Sequence, residues 1–149
     1  MLAAIKAFIE AGGVVYAECG GFMYLTAALT DGAKKKYPMV GVFPFETRML
    51  PRLQVLGYRE VTSATKVFDA AGETIRGHEF HYSEIYSRGG AKKSATACRT
   101  YRQNRKKVAE AYQYKNCFGS YVHLHFGSNP KFARSLVAAC RCKPFQPNE

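Results

Sequence analysis

Tryptophan is absent from this chain of 149 residues, and acid is scarce: 11 Asp and Glu stand against 22 Lys and Arg, for a net charge of +11. No apolar run approaches the roughly 20 residues that a bilayer-crossing helix needs, so no membrane partner is expected. Residues 1–17 loosely resemble a secretory leader, but Lys6 and Glu10 interrupt the apolar stretch. Five cysteines form an odd set without framework spacing, which argues against a disulfide scaffold and for a reducing cytoplasm. Cys140-Arg141-Cys142 is too sparse to hold a metal unaided, and Cys98 and Cys117 read as packing residues. There is no Gly-x-x-x-x-Gly-Lys-[Ser/Thr] phosphate loop and no acidic cluster suited to Mg²⁺. Internal repeats and low-complexity tracts are also lacking.

The basic excess raises nucleic acid as a partner. Its clusters, Lys34-Lys35-Lys36 and Arg105-Lys106-Lys107, are short, far apart and placed in loops or strand ends. No helix-turn-helix, zinc-finger or RNP pattern accompanies them. A solvated surface is the simpler reading, and no nucleic acid is expected.

What is present supports one globular domain over 1–143 with a loose tail at 144–149. Hydrophobic residues make up 47% of the chain, and ten Tyr and ten Phe can build its core. Leu2, Ile5, Phe8 and Ile9 have helical spacing over 2–11, stopped by Gly12-Gly13. Residues 14–18 read as a buried strand and 20–29 as a helix. Strands are predicted at 39–45, 53–63, 65–68, 74–86 and 117–124, with a hairpin of 92–103 and 107–112 around Asn104. A turn is read at 70–73. A helix over 130–142 has Ser128 or Asn129 as its cap and Pro130 in its first turn. Helices bracketing a strand-rich middle give an α/β architecture, a sheet flanked by helices.

The chemistry is concentrated in Val14-Val15-Tyr16-Ala17-Glu18-Cys19-Gly20-Gly21-Phe22-Met23-Tyr24-Leu25. A β-branched and aromatic run ends at a cysteine, and two glycines open an apolar helical pattern. This is strand, sharp turn, helix, with small residues (Ala17 and Gly21) two before and two after the nucleophile candidate. Cys19 at a helix N-terminus is expected to favour thiolate. Glu18, next to it on the strand, is expected to point away. A thiol nucleophile needs a base, and Ser120-Tyr121-Val122-His123-Leu124-His125-Phe126 offers two histidines on one strand face. Two other readings stay open here: four histidines (His78, His81, His123, His125) gathered round zinc, or a non-catalytic binding module.

These runs, with Arg76-Gly77-His78-Glu79-Phe80-His81-Tyr82-Ser83 between them and Gly127-Ser128-Asn129-Pro130 after them, closely resemble the glutamine amidotransferase domain of the cobyrinic acid a,c-diamide synthases. The resemblance spans nearly the whole chain. The related enzymes that amidate nickel sirohydrochlorin or make cobyric acid remain alternatives, the latter differing at the His-Glu-Phe-His motif. The resemblance implies a flavodoxin-like class I glutamine amidotransferase fold, truncated at its N-terminus, whose exposed sheet edge invites self-association. It implies a partner domain, an ATP-dependent synthetase binding ATP, Mg²⁺ and the corrinoid substrate, absent from this chain.

For the site, the resemblance implies Cys19 as nucleophile and His123 as base, acting on glutamine. Gly20 and Gly21 would serve the oxyanion, and the loop carrying Phe80, His81 and Tyr82 would cradle glutamine through its backbone. In the wider triad enzymes a glutamate two residues after the histidine orients it. Here His125 holds that position, which leaves His125 or Glu79 as the orienting candidates or a dyad alone. No metal is expected.

Overall fold

The computed structural model describes residues 1–63, 72–86, 95–102 and 107–142. The first apolar stripe forms helix α1 (Leu2–Glu10), which buries Ile9 completely. Strand β1 (Val15–Glu18) and helix α2 (Gly20–Leu25) follow. The remaining strands are β2 (Thr26–Thr30), β3 (Lys36–Pro38), β4 (Phe43–Met49), β5 (Val55–Ser63), β6 (Thr74–His81), β7 (Ser83–Tyr86), β8 (Ala95–Arg102), β9 (Lys107–Tyr114), β10 (Cys117–Ser120) and β11 (Val122–Leu124). A 3-10 turn over Phe126–Ser128 leads to helix α3 (Pro130–Cys142), where the Asn129 side chain accepts the Lys131 N–H at 3.1 Å.

A seven-stranded sheet runs in the order β1-β10-β9-β8-β5-β6-β11, and a four-stranded sheet in the order β3-β2-β4-β7. Only the β1–β10 and β2–β4 pairs are parallel among the described residues. The short connections from β8 to β9 and from β9 to β10 allow only antiparallel pairing. The larger sheet is therefore mixed, its parallel pair lying at β1 before Cys19, and it is flanked by helices as expected.

Several predicted elements are redrawn. The helix expected over 20–29 stops at Leu25, where the Thr26 hydroxyl donates to the Met23 carbonyl at 2.7 Å. Residues 26–30 then pair with β4, so tertiary pairing overrides helical spacing. The strand read over 74–86 breaks at Tyr82, where the chain crosses from the large sheet to the small one. The strand read over 117–124 breaks at Tyr121 into β10 and β11. Strand β3 was not anticipated. The strand predicted at 65–68, the residues 70–71 of the predicted turn, Asn104 and the tail at 144–149 lie outside the described residues.

The break at Tyr121 shapes the molecule. One residue separates β10 from β11, yet they hold the second and last places in the sheet. The sheet must therefore curl until β11 comes back towards β1. Alternation along β10 sends Cys117 to one core and Phe118 to another, so this strand is buried on both faces. Phe118 packs with Val61, Ile75, Val122 and Phe132 of α3. On the other side Phe22 is fully buried among Phe43, Phe45, Tyr112 and Tyr121, with ring centroids 5.1–6.0 Å away. Aromatic pairs of this kind add about 0.5–1.5 kcal/mol each beyond burial. Phe22 thereby fixes α2, and with it the turn at Cys19.

Candidate active site

The chain leaves β1 through a backbone that L-residues rarely adopt: Cys19 has φ 46° and ψ −106°. Such strain persists only when neighbours impose it. Here the Cys19 N–H donates to the Ser120 carbonyl at 2.8 Å, and the Cys19 carbonyl accepts the Met23 N–H at 2.9 Å. One side of the turn is tied to β10 and the other to α2. A Cβ added at Gly21 would lie 3.6 Å from that of Ala17, an ordinary contact, and one added at Gly20 would meet open space.

The Cys19 thiol is half-buried and faces the Phe80 carbonyl at 4.0 Å. Burial pushes this thiol up from its ordinary value, the Glu18 and Glu79 carboxylates add to that, and the Gly20 N–H aimed at the sulfur acts the other way. The expected preference for thiolate is thus reversed. A helix of six residues has little dipole to set against desolvation.

His123 sits on β11, paired with His78 across the ladder to β6, and the two rings stack at 4.8 Å and 9°. Its Nδ1 lies 3.6 Å from Glu18 Oε2. The other Glu18 oxygen accepts the Leu124 N–H at 2.7 Å and the Tyr16 hydroxyl. Glu18, expected to point away from Cys19's face of the strand, nevertheless reaches His123, because the curl of the sheet brings β11 to the side of β1 that Glu18 occupies. An acid two residues from a tyrosine, directly before the nucleophile, was the visible signal. Local alternation cannot say which strand lies on that side.

His125 stands one residue past β11 and is exposed. Its N–H donates to the Arg76 carbonyl at 2.8 Å, and its carbonyl accepts both the N–H and the hydroxyl of Ser128. Here it starts the 3-10 turn and does not continue the strand face of His123.

Along β6, burial alternates strictly. His78 and Phe80 are on the open face, Glu79 and His81 on the buried one. Glu79, weighed as an orienting acid for His123, is engaged by Arg59 at 2.6 Å and by His81 Nε2 at 2.8 Å. His81 Nδ1 meets the Ser83 carbonyl at 2.8 Å, and the ring stacks on Tyr121 at 3.9 Å. His81 therefore braces the segment from beneath. The carbonyls of His81 and Tyr82 accept the N–H groups of Gln54 and Leu50, which leaves the Phe80 carbonyl as the one turned to the sulfur. Phe80 and Tyr82 are 45% and 41% exposed, their rings edge to face at 5.6 Å, and they form a wall beside the thiol.

The four histidines do not converge, since His81 and His78 leave opposite faces of β6. Among the described residues no three His, Cys, Asp or Glu side chains are grouped to hold a metal ion. Among the described residues no helix is long and apolar enough to cross a membrane. Of the basic clusters, Lys36 pairs with Glu46 at 2.6 Å and Lys35 lies over the Tyr37 ring. Glu18 is the link between the two candidate groups: it directly precedes Cys19 at the strained turn and stands 3.6 Å from His123 Nδ1, and a thiol and an imidazole are the groups that nucleophilic chemistry needs.

The chain is 44% identical to a cobyrinate a,c-diamide synthase of Syntrophotalea carbinolica over 95% of its length, and 38% identical to one of Priestia megaterium over 92%. It spans only 31% and 29% of those two proteins. A crystal structure from Thermoplasma acidophilum, of a protein named for GMP synthase, has a similar fold. Its TM-score is 0.51 at 11% identity, over 95% of this chain and 64% of that one. The profile of the CobB/CobQ-like glutamine amidotransferase domain matches residues 1–131, and the chain belongs to that family.

Proposed function

We propose that this chain is the glutaminase part of a cobyrinic acid a,c-diamide synthase, supplying ammonia for ATP-dependent amidation of the a and c carboxylates. The observation that carries the reading is the strained Cys19, with the Gly20 N–H at its sulfur and the Phe80 carbonyl across from it. Glutamine would lie along Phe80 and Tyr82. The thiol attacks the side-chain carboxamide carbon as His123 takes its proton. The Gly20 N–H stabilises the resulting oxyanion, and one such donor is typically worth about 10²–10³ in rate. Collapse breaks the C–N bond, and the proton held by His123 leaves with ammonia. Water then attacks the γ-glutamyl thioester with His123 as base, which releases glutamate and restores the thiol.

ATP, Mg²⁺ and the corrinoid acceptor belong, in this reading, to a separate synthetase domain. The names of the relatives favour cobyrinic acid over a nickel porphinoid as acceptor. The test is glutamate release from glutamine by the purified chain, alone and with the ATP-dependent domain of a relative added in trans. Cys19→Ala and His123→Ala should each abolish it. Turnover that survives Cys19→Ala removes the proposed nucleophile.

A further inference from the structure

We propose that Glu18 is the positioning residue of His123, a carboxylate that sets the tautomer of the base from the same strand that delivers the nucleophile. The inference rests on the glutaminase reading above and adds a component to it. A base histidine works only if one ring nitrogen keeps its proton while the other offers a lone pair, and a fixed acceptor beside the first nitrogen decides which is which. Glu18 Oε2 stands 3.6 Å from Nδ1, so the Nδ1–H form is favoured and Nε2 is left to accept the Cys19 proton. That separation lies just beyond hydrogen-bond length, and contacts of this kind often shorten only once substrate closes the site.

The carboxylate is itself held. Its Oε1 accepts the Tyr16 hydroxyl and the Leu124 N–H, so Oε2 is aimed and not free to swing. Two donors from two strands make this a built arrangement. No ladder joins β1 to β11: β1 pairs with β10, and β11 pairs with β6. The Glu18 carboxylate is the bridge across that gap, and it ties the backbone next to His123 to the residue before Cys19. His78 covers one face of the imidazole, which restricts the ring further. The other two candidates are placed elsewhere, Glu79 with Arg59 and His81, His125 in the turn beyond β11.

The acid also explains why a thiol can wait protonated. Its charge adds to burial in holding the proton on sulfur. Transfer to Nε2 then coincides with attack, and Glu18 stabilises the imidazolium that forms.

The test compares the wild type with Glu18→Gln and Glu18→Asp in the full chain, checked for folding by thermal melt. Glutamine at this position keeps an acceptor for Tyr16 and Leu124 but can turn its amide N–H₂ towards Nδ1. Nitrogen-15 NMR of histidine-labelled protein, at a pH where the ring is neutral, should show His123 as Nδ1–H in the wild type and in Glu18→Asp. In Glu18→Gln it should show the Nε2–H form. The kcat for glutamine hydrolysis should fall about 10²-fold or more in Glu18→Gln with KM within threefold, and Glu18→Asp should recover at least a tenth of the wild-type rate. A wild-type His123 already in the Nε2–H form, or a tautomer unmoved by Glu18→Gln, overturns the proposal. If Cys19→Ala and His123→Ala abolish turnover while Glu18→Gln keeps it, the positioning role falls and the glutaminase reading stands. If those two variants keep turnover, that reading falls, and the tautomer still decides the role of Glu18.

Discussion

Arg59 and Glu79 meet at 2.6 Å beneath the open face of β6, with 5% and 2% of their surfaces exposed. Both Arg59 Nε and one terminal nitrogen reach the same carboxylate oxygen, and His81 takes the other. The pair underlies the Phe80 carbonyl that faces Cys19. Burying two charges is costly, and replacing both with apolar groups is often neutral. Removing one partner alone leaves a naked buried charge and typically costs about 3–5 kcal/mol. Arg59→Met is therefore expected to destabilise the chain by about that amount, measured by urea unfolding. A loss below about 1 kcal/mol would mean that Glu79 finds other compensation.

The parts of this site that were legible are the ones encoded by neighbours in sequence. Small residues around Cys19 announced the turn, and the run from Thr74 through the His-Glu-Phe-His motif read as strand-like. Which long-range strand meets which was not legible. The role of Glu18 depends on a one-residue break at Tyr121 and on the curl that follows, and no period of two or 3.6 residues encodes that. The strand from Thr26 to Thr30 was hidden for a related reason: its pairing with β4 decides its conformation, not its own spacing. Burial of the Cys19 sulfur, which reverses the expected thiolate preference, is likewise a property of the packed fold.

Because burial and two carboxylates hold the Cys19 thiol up, its alkylation by iodoacetamide should be slow at pH 7 and still be rising above pH 9. Glu18→Gln removes one of those negative charges and should speed alkylation by about two- to fivefold at pH 8.5. The same substitution is expected to slow glutamine hydrolysis. Mass spectrometry of labelled peptides reads the first effect, and opposite signs would separate an electrostatic role from simple loss of structure. Cys117, fully buried, should label only on unfolding.

Stability should decline in alkali. Burial pushes the Cys117 thiol up from 9.0 to about 12 and the Tyr121 hydroxyl from 10.0 to about 12, the latter against a hydrogen bond from Ser83. Between those limits the unfolded chain has released protons that the folded chain still holds. The free energy of unfolding therefore falls as pH rises, from about pH 9 for the thiol and about pH 10 for the phenol, by about 1.4 kcal/mol per pH unit for each group. Denaturant melts from pH 8 to 11 should show the slope steepening past pH 10. Cys117→Val should reduce the earlier part of it, leaving the share of the Cys19 thiol, which is also held up.

Gly77 gives the sharpest link between packing and the proposed chemistry. It faces Leu124 across the β6–β11 ladder, and a Cβ there would lie 2.3 Å from the His123 carbonyl oxygen and 3.0 Å from Val122 Cγ1. Neither neighbour can yield easily, since one is backbone and the other belongs to a fully packed core residue. Gly77→Ala must push β11 off β6. It is expected to cost about 1–3 kcal/mol, the usual range for overpacking. It should also pull His123 off its stack with His78 and out of line with Glu18, so glutamine hydrolysis should fall further than the lost stability explains at temperatures where the protein is still folded. Gly32→Ala is the control, because a Cβ at Gly32 meets nothing within 4 Å. Thermal melts of both variants, read beside glutaminase rates well below the melting point, decide the matter. A Gly77→Ala protein as stable and as active as Gly32→Ala would mean that β11 is free to shift without consequence for His123.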